Sequence, residues 1–254
     1  RDILQGTAGQ RIMNSTGIFR RRIAAENETA LSMSLRASEQ LLLDNDISRQ
    51  QCQLVVVVTQ TPDYMLPGNA VQLQHALGLT KETVAFDVNL GCSGFIFGLW
   101  QIAQLMQSID TEHALLVVGD TTSKLIEPNN PTVSCLFGDA VCVTLLTKTH
   151  VSSALAFHLG SDGSGAPYLI QPNGGAKFPG IRPNLFMDGT QVFAFALREV
   201  VKSITQCLDT AEVTIHDVDL VVMHQANKLM LEKLALKLGV AKEKVLINMQ
   251  DVGN

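Results

Sequence analysis

Val84-Ala85-Phe86-Asp87-Val88-Asn89-Leu90-Gly91-Cys92-Ser93-Gly94-Phe95-Ile96-Phe97-Gly98-Leu99-Trp100 reads as a short buried strand, a tight turn and a largely apolar helix. Cys92 stands where the turn becomes the helix. The first turn of a helix offers unpaired N–H groups and roughly half a positive charge. A thiol placed there is expected to ionise more easily, and the thiolate is the nucleophile. Gly91 and Gly94 are expected to leave bare backbone, so that a substrate carbonyl could come close. A lone cysteine in an apolar stretch is more often a small core residue. The nucleophile reading therefore depends on partners elsewhere in the chain.

Working outward, strands and helices alternate. Glu28 to Leu43 has helical apolar spacing, and Leu54-Val55-Val56-Val57-Val58 suits a central strand. A Pro/Gly loop from Thr61 to Gly68 leads to a helix over Asn69–Leu77. Ala114–Asp120 and Val141–Leu146 read as further strands. Ser161 to Asn184 is a long polar loop of the kind that forms lids or pocket walls. Met187-Asp188-Gly189 opens a helix to about Leu208. Leu220–Met223 reads as a strand ending in His224, followed by a helix over Lys228–Leu238 and a strand over Val245–Met249. The pattern predicts an α/β fold with a mostly parallel sheet covered by helices.

A repeat sharpens this. Leu77-Gly78-Leu79-Thr80-Lys81-Glu82-Thr83-Val84 matches Leu238-Gly239-Val240-Ala241-Lys242-Glu243-Lys244-Val245 at five of eight positions, 161 residues apart. Upstream, Leu54–Val57 matches Leu220–Met223 at an offset of 166, the longer Thr59–Gly68 loop absorbing the difference. The chain thus divides into two duplicated halves, 1-150 and 151-254. Cys92 and Asn254 fall at neighbouring points of equivalent elements, and His224 stands at a strand's C-terminal end. Open α/β sheets place their chemistry at such ends. Pattern alone suggests a Cys, a His and an Asn in one cleft.

Composition narrows the function. The chain has 254 residues, 46% hydrophobic and 17% charged, with net charge -5. That balance gives no basic face for nucleic acid, and no apolar run approaches the roughly 20 residues needed to cross a bilayer. Five cysteines (Cys52, Cys92, Cys135, Cys142 and Cys207) show no paired or zinc-binding spacing, and no signal peptide is evident. A reducing cytoplasm is expected. Cys52, Cys135, Cys142 and Cys207 are expected to be core thiols. His75, His113, His150, His158 and His216 are expected to be structural or solvent-exposed. Arg20–Arg22 reads first as a solvated, salt-bridged connection and second as a docking patch for an acidic carrier.

These residues resemble a known family. Asp87-Val88-Asn89-Leu90-Gly91-Cys92-Ser93-Gly94-Phe95, Phe137-Gly138-Asp139-Ala140, His224-Gln225-Ala226-Asn227 and Gly253-Asn254 resemble the β-ketoacyl-acyl-carrier-protein synthases III of the thiolase superfamily, in that family's order and spacing. Thr16-Gly17-Ile18 with Arg21 and Ile23-Ala24 adds to the resemblance. It implies a thiolase-like five-layered αβαβα fold, a homodimer, and a catalytic set of Cys92, His224 and Asn254. It also implies acyl transfer from a thioester to Cys92, then decarboxylative condensation with malonyl-ACP. No cofactor is expected beyond the acyl-CoA or acyl-ACP substrate, and acyl carrier protein is the expected partner. Gln225, Asn227, Lys228 and Leu66 are the implied substrate- or carrier-binding positions. A small Leu66, where an aromatic is common, implies room for a longer or branched acyl chain.

The sequence also departs from the family. The Trp and Arg that usually grip CoA before the TGI motif are Arg11 and Ser15, a further Arg is Pro131, and the Arg expected after HQAN is Leu229, beside Lys228. The acyl donor is then a CoA ester held differently, or a carrier-bound acyl group. Against the family pattern both ends read as truncated, so a stable sheet edge and full activity are not expected. Two other readings stay open: a non-decarboxylating acyltransferase of secondary metabolism, and a non-catalytic partner subunit.

Overall fold

The computed structural model describes residues 6–127, 130–149, 155–181 and 184–254. The expected boundary at 150/151 and His150 lie outside these residues. In chain order the elements are α1 (Gly6–Thr16), α2 (Ala30–Asp44), β1 (Cys52–Val58), α3 (Asn69–Ala76), β2 (Val84–Val88), α4 (Gly94–Ser108), β3 (His113–Asp120), α5 (Pro131–Ser134), β4 (Ala140–Thr147), β5 (Leu169–Ile170), β6 (Phe186–Met187), α6 (Gly189–Thr210) and α7 (Lys228–Leu238). The chain forms two compact units that interleave along the sequence.

One unit contains Ile23–Thr122 and β4. Its sheet has the order β2-β1-β3-β4. β1 pairs in parallel with β2 (Leu54↔Val84 to Val58↔Val88) and with β3, while β4 closes the edge antiparallel to β3. Leu54 to Val58 are almost wholly inaccessible. That is the behaviour of a strand covered on both faces, and it explains the unbroken β-branched run. Side chains alternate across the sheet. Val55 and Val57 face a core with Leu42, Leu73 and Leu77 from the α2 and α3 side. Leu54, Val56 and Val58 face Ile102 and Met106 of α4. Each such Val or Leu contributes about 1.5–3 kcal/mol by leaving water.

Helix ends follow local chemistry. Thr29 caps α2 by accepting from the Ser32 N–H, and Asp63 accepts from the Thr29 hydroxyl at 2.7 Å. Gly94 and Gly98 set the approach of α4. A Cβ on Gly94 would lie 2.4 Å from Val58 Cγ1, and one on Gly98 would lie 2.6 Å from Leu116 Cδ1. Gly94 is therefore buried against the sheet rather than left bare for substrate, a correction to the sequence expectation.

The other unit runs from Ser123 to Gly138 and from Leu155 onward, with the segment that ends at Arg22. Asp188 and Asn227 cap α6 and α7 with their side chains. The long polar loop carries a 3-10 turn over Gly163–Tyr168 and the two-stranded β5–β6 ribbon.

The two LG turns share a backbone conformation. Gly78 and Gly239, the glycines of the two LG turns, have φ of 65° and 70°, the left-handed conformation that glycine adopts without a Cβ clash. The strands of the second copy, however, do not form. Leu220–Met223 and Val245–Met249 are joined only by an isolated parallel bridge, Val221↔Val245. It lies one residue from the pairing that the two offsets give. One side chain also bonds the backbone of both segments. Gln225 donates to the carbonyls of Met223 and Leu246 and accepts from the Asn248 N–H at 3.0 Å. Gln225 thus ties the two segments together where the single bridge ends. Among the described residues no further strand lies beside Val221.

Cys142 is exposed, not a core thiol. It lies on an edge strand, on the face opposite Val141, Val143 and Leu145, which pack against the core. Cys52 and Cys135 are buried, and Cys207 is half-buried with its Sγ on the Ala156 carbonyl. His113 and His158 bond to Thr147 and Ser203, and His75 and His216 are exposed.

Candidate active site

In the sheet unit the carboxyl ends of three parallel strands come side by side. Val58 leads to Thr59-Gln60-Thr61, Val88 leads to Asn89–Cys92, and β3 ends at Asp120. The Thr59 N–H donates to the Val88 carbonyl at 3.1 Å. Cys92 precedes Ser93, the residue that opens α4, and is exposed to solvent. The turn is closed by the Gly94 N–H on the Gly91 carbonyl at 2.7 Å.

The thiol does not become more acidic, as its position before a helix suggested. Removal of the thiolate from water raises its pKa above the usual 9.0. The backbone N–H of Cys92 opposes this, and the charge of Asp120 adds to it. A side chain can be open to solvent and still be surrounded by protein mass. Accessibility governs entry of a substrate, and the surrounding mass governs the pKa. Desolvation is the largest influence on the thiol and outweighs the backbone N–H that opposes it.

Asp120 was not singled out from sequence, although the signal was present: a carboxylate at the last residue of a parallel strand. Its Oδ1 accepts from the Thr59 hydroxyl (2.8 Å), the Gln60 N–H (2.7 Å), and the Thr61 N–H and hydroxyl (both 3.0 Å). Burial raises its pKa above the ordinary value despite these donors. Gln60 lies against Gly91, where a Cβ would stand 2.5 Å from Gln60 Oε1. Asp87, in the same motif as Cys92, is a helix cap. It accepts from the Asn69 N–H at 2.9 Å and the Ala70 N–H at 3.0 Å, at the start of α3.

In the other unit a small core gathers the motif-bearing segments. Ile18, Leu231 and Met249 are buried together, with Leu136 and Met223 packed on them. This core brings the TGI, FGD, HQAN and GN segments into one neighbourhood. Asn254 is tied there by two backbone bonds, its N–H on the Leu136 carbonyl (2.9 Å) and its carbonyl on the Gly138 N–H (3.0 Å). Gly138 approaches so closely that a Cβ would lie 2.3 Å from the Val252 carbonyl oxygen. Arg21 donates to the Phe137 carbonyl at 3.2 Å. Gly138 and Arg21, both within the motif segments, pack on and bond the Asn254 segment.

His224 follows Met223 and is open to solvent, yet the protein mass around it disfavours the imidazolium and lowers its pKa from 6.5. Of the expected binding residues, Gln225 spends its amide on the three backbone groups described above, and Asn227 Oδ1 accepts from the Met230 N–H at 2.8 Å. Lys228 is exposed, its Nζ 4.0 Å from Glu232. Its Cβ stands where a side chain on Gly17 would fall, at 2.7 Å. Leu66 is 83% exposed, in the sheet unit's Pro/Gly loop. Arg20 stands 3.8 Å from Asp251, both exposed, which fits a solvated connection. No helix among the described residues is long and apolar enough to cross a membrane.

Comparison with known proteins bears on this arrangement directly. The family model for 3-oxoacyl-[acyl-carrier-protein (ACP)] synthase III matches residues 86–163, and that for its C-terminal part matches residues 208–254. The chain is 33% identical over 259 residues to the beta-ketoacyl-[acyl-carrier-protein] synthase III of Lactobacillus helveticus, an alignment covering 99% of this chain and 79% of that protein. Among solved structures it is similar to the 3-oxoacyl-(acyl-carrier protein) synthase of Burkholderia xenovorans LB400, with TM-score 0.92 and 36% identity over 100% of this chain and 75% of that one. It is also similar to the priming beta-ketosynthase of the R1128 polyketide biosynthetic pathway, with TM-score 0.86 and 30% identity over 96% of this chain and 75% of that one. The fold is thiolase-like, and the chain belongs to the 3-oxoacyl-[acyl-carrier-protein] synthase III family of condensing acyltransferases.

Proposed function

We propose that this chain joins an acyl group to a malonyl unit, with Cys92 as the acylated nucleophile and His224 and Asn254 as hydrogen-bond donors. The observation that carries the reading is an exposed Cys92 at the carboxyl ends of three parallel strands, in a chain of this family. Cys92 sulfur attacks the thioester carbonyl of the donor, and the donor's thiol leaves with the proton. A malonyl thioester, carried by acyl carrier protein, then loses carbon dioxide. The negative charge that develops on its thioester oxygen is met by the His224 N–H and the Asn254 amide. The resulting carbanion attacks the acyl-Cys92 carbonyl, the Cys92 thiolate is expelled, and a β-ketoacyl thioester is released. A neutral His224 suits a donor that polarises without giving up its proton.

Gln225 and Asn227 act in this reading as positioning residues, since their side chains hold backbone groups. Lys228, exposed beside Glu232, is the cation of this segment that a carrier's phosphate would meet in this reading. Arg11 and Ser15 lie on α1, where Ser15 Oγ donates to the Ile12 carbonyl at 3.0 Å. Neither supplies an aromatic face for adenine, which favours a carrier-bound acyl donor or a CoA ester held differently. The reaction calls on no cofactor beyond its thioester substrates. A homodimer is supported by the exposed side chains of Tyr64, Met65 and Leu66. A cytoplasmic location fits five free cysteines. The division 1-150 and 151-254 as duplicated halves is supported by the two LG turns.

Incubation with a panel of acyl-CoA and acyl-carrier donors, followed by mass spectrometry, tests the proposal. An acyl adduct on Cys92 that then drives carbon dioxide release from malonyl-carrier supports it. Acylation without carbon dioxide release points to a non-decarboxylating acyltransferase. No adduct with any donor points to a non-catalytic subunit.

A further inference from the structure

The family chemistry described above makes no use of Asp120, yet this carboxylate is one of the most heavily bonded groups in the sheet unit. One oxygen, Oδ1, gathers four donors from three consecutive residues, Thr59 to Thr61. The Thr61 hydroxyl also accepts from the Thr121 N–H at 2.8 Å, so the link between β1's exit and β3's exit runs in both directions. Thr59, Thr61 and Thr121 are all buried. The same three residues carry Gln60, whose side chain lies against Gly91, next to Cys92. The Thr59 N–H joins this turn to the end of β2.

A turn between two strand ends has many conformations when its N–H groups are free. A single carboxylate oxygen that accepts from two N–H groups and two hydroxyls leaves few of them. We infer that Asp120 is a positioning residue of the acylation step: it locks the Thr59–Thr61 turn against the Gly91–Cys92 turn, so that Gln60 and the thiol keep a fixed relation as the thioester arrives. This inference rests on the reading of Cys92 as the acylated residue. The readout that a purely structural role would not move is a fall in acylation rate at unchanged KM in a variant that melts with the wild type.

The test uses the full chain, the Asp120→Ala and Asp120→Asn variants, and an acyl donor that acylates the wild type. In Asp120→Ala the four donors lose their acceptor, and the rate of acyl-Cys92 formation falls on the order of 10-fold or more, with little change in KM. Asn keeps an acceptor oxygen in place, so Asp120→Asn stays nearer the wild type. If Asp120→Ala does not fold, Thr61→Val, which removes one of the four donors to Asp120 Oδ1, decides by the same acylation rate. A wild-type acylation rate in the folded variant overturns the inference. Failure of the wild type itself to take any acyl group overturns the proposed function instead, so the two failures are distinguishable.

Discussion

Replacing Gly138 by alanine puts a methyl group 2.3 Å from the Val252 carbonyl oxygen and 3.3 Å from that of Arg22. Real Cβ atoms essentially never come closer than 3.0 Å, so the Val252 contact must open by at least about 0.7 Å. The obstruction is backbone, which cannot swing aside as the end of a side chain can. The strands of chain that must give are those joined by the Leu136–Asn254 and Gly138–Asn254 bonds. Overpacking of this kind costs about 1–3 kcal/mol, and at about 2–4 °C per kcal/mol the melting temperature falls by several degrees. The functional effect is selective. Cys92 lies in the other unit and should still accept an acyl group. Asn254, displaced by a good part of an ångström, loses its donor geometry, and carbon dioxide release from malonyl-carrier falls on the order of 10²-fold. The assay is paired: mass spectrometry for acyl-Cys92, and carbon dioxide release on the same sample. A Gly138→Ala protein that melts with the wild type and releases carbon dioxide at the wild-type rate would refute the reasoning.

Asp87→Ala removes the acceptor of two N–H groups at the start of α3, and urea denaturation should show a loss of about 1–2 kcal/mol. Asp87→Asn should lose less, and an unchanged midpoint in the alanine variant would contradict the capping role. Burial pushes the Cys52 thiol up to about 11 from 9.0. The sign follows from linkage: the folded state holds this proton more tightly, so its contribution is intact below pH 9 and is lost as pH rises toward 11. The loss is about 2–3 kcal/mol, and Cys52→Ala, though less stable at pH 7, should show a shallower decline over that window. Because burial lowers the pKa of His224, its NMR titration midpoint should fall below 6.5. The acid limb of carbon dioxide release should then lie below 6.5 as well; a midpoint above 6.5 would contradict a neutral resting imidazole.

The candidate site was legible in the sequence where chemistry depends on residue type and local placement. Cys92 stood out because a strand, a glycine turn and a helix start follow one another within a few residues. His224 and Asn254 stood out through the repeat and the motif order. Asp120 has a local signal, a carboxylate at the end of a parallel strand, but its partners Thr59–Thr61 lie some 60 positions away and only the fold brings them to it. The direction of the Cys92 pKa was misjudged for a related reason. A helix start is local and visible, whereas desolvation sums over every atom that folding brings near.

By itself the sequence determined the elements whose causes are short-range. The Leu54–Val58 run made a strand covered on both faces. Asp188 and Asn227 marked where α6 and α7 begin, and Gly78 and Gly239 marked the two left-handed turns. Tertiary structure decided what depends on who the neighbours are. Leu220–Met223 has the composition of β1 but, among the described residues, makes only one bridge, and its link to Leu246–Asn248 runs through the Gln225 side chain. Cys142 has the pattern of a core strand residue and is exposed, because its strand lies at a sheet edge. Periodicity and turn preference are encoded within a few residues, whereas hydrogen-bond partners, burial and charge come from chain that is distant in sequence.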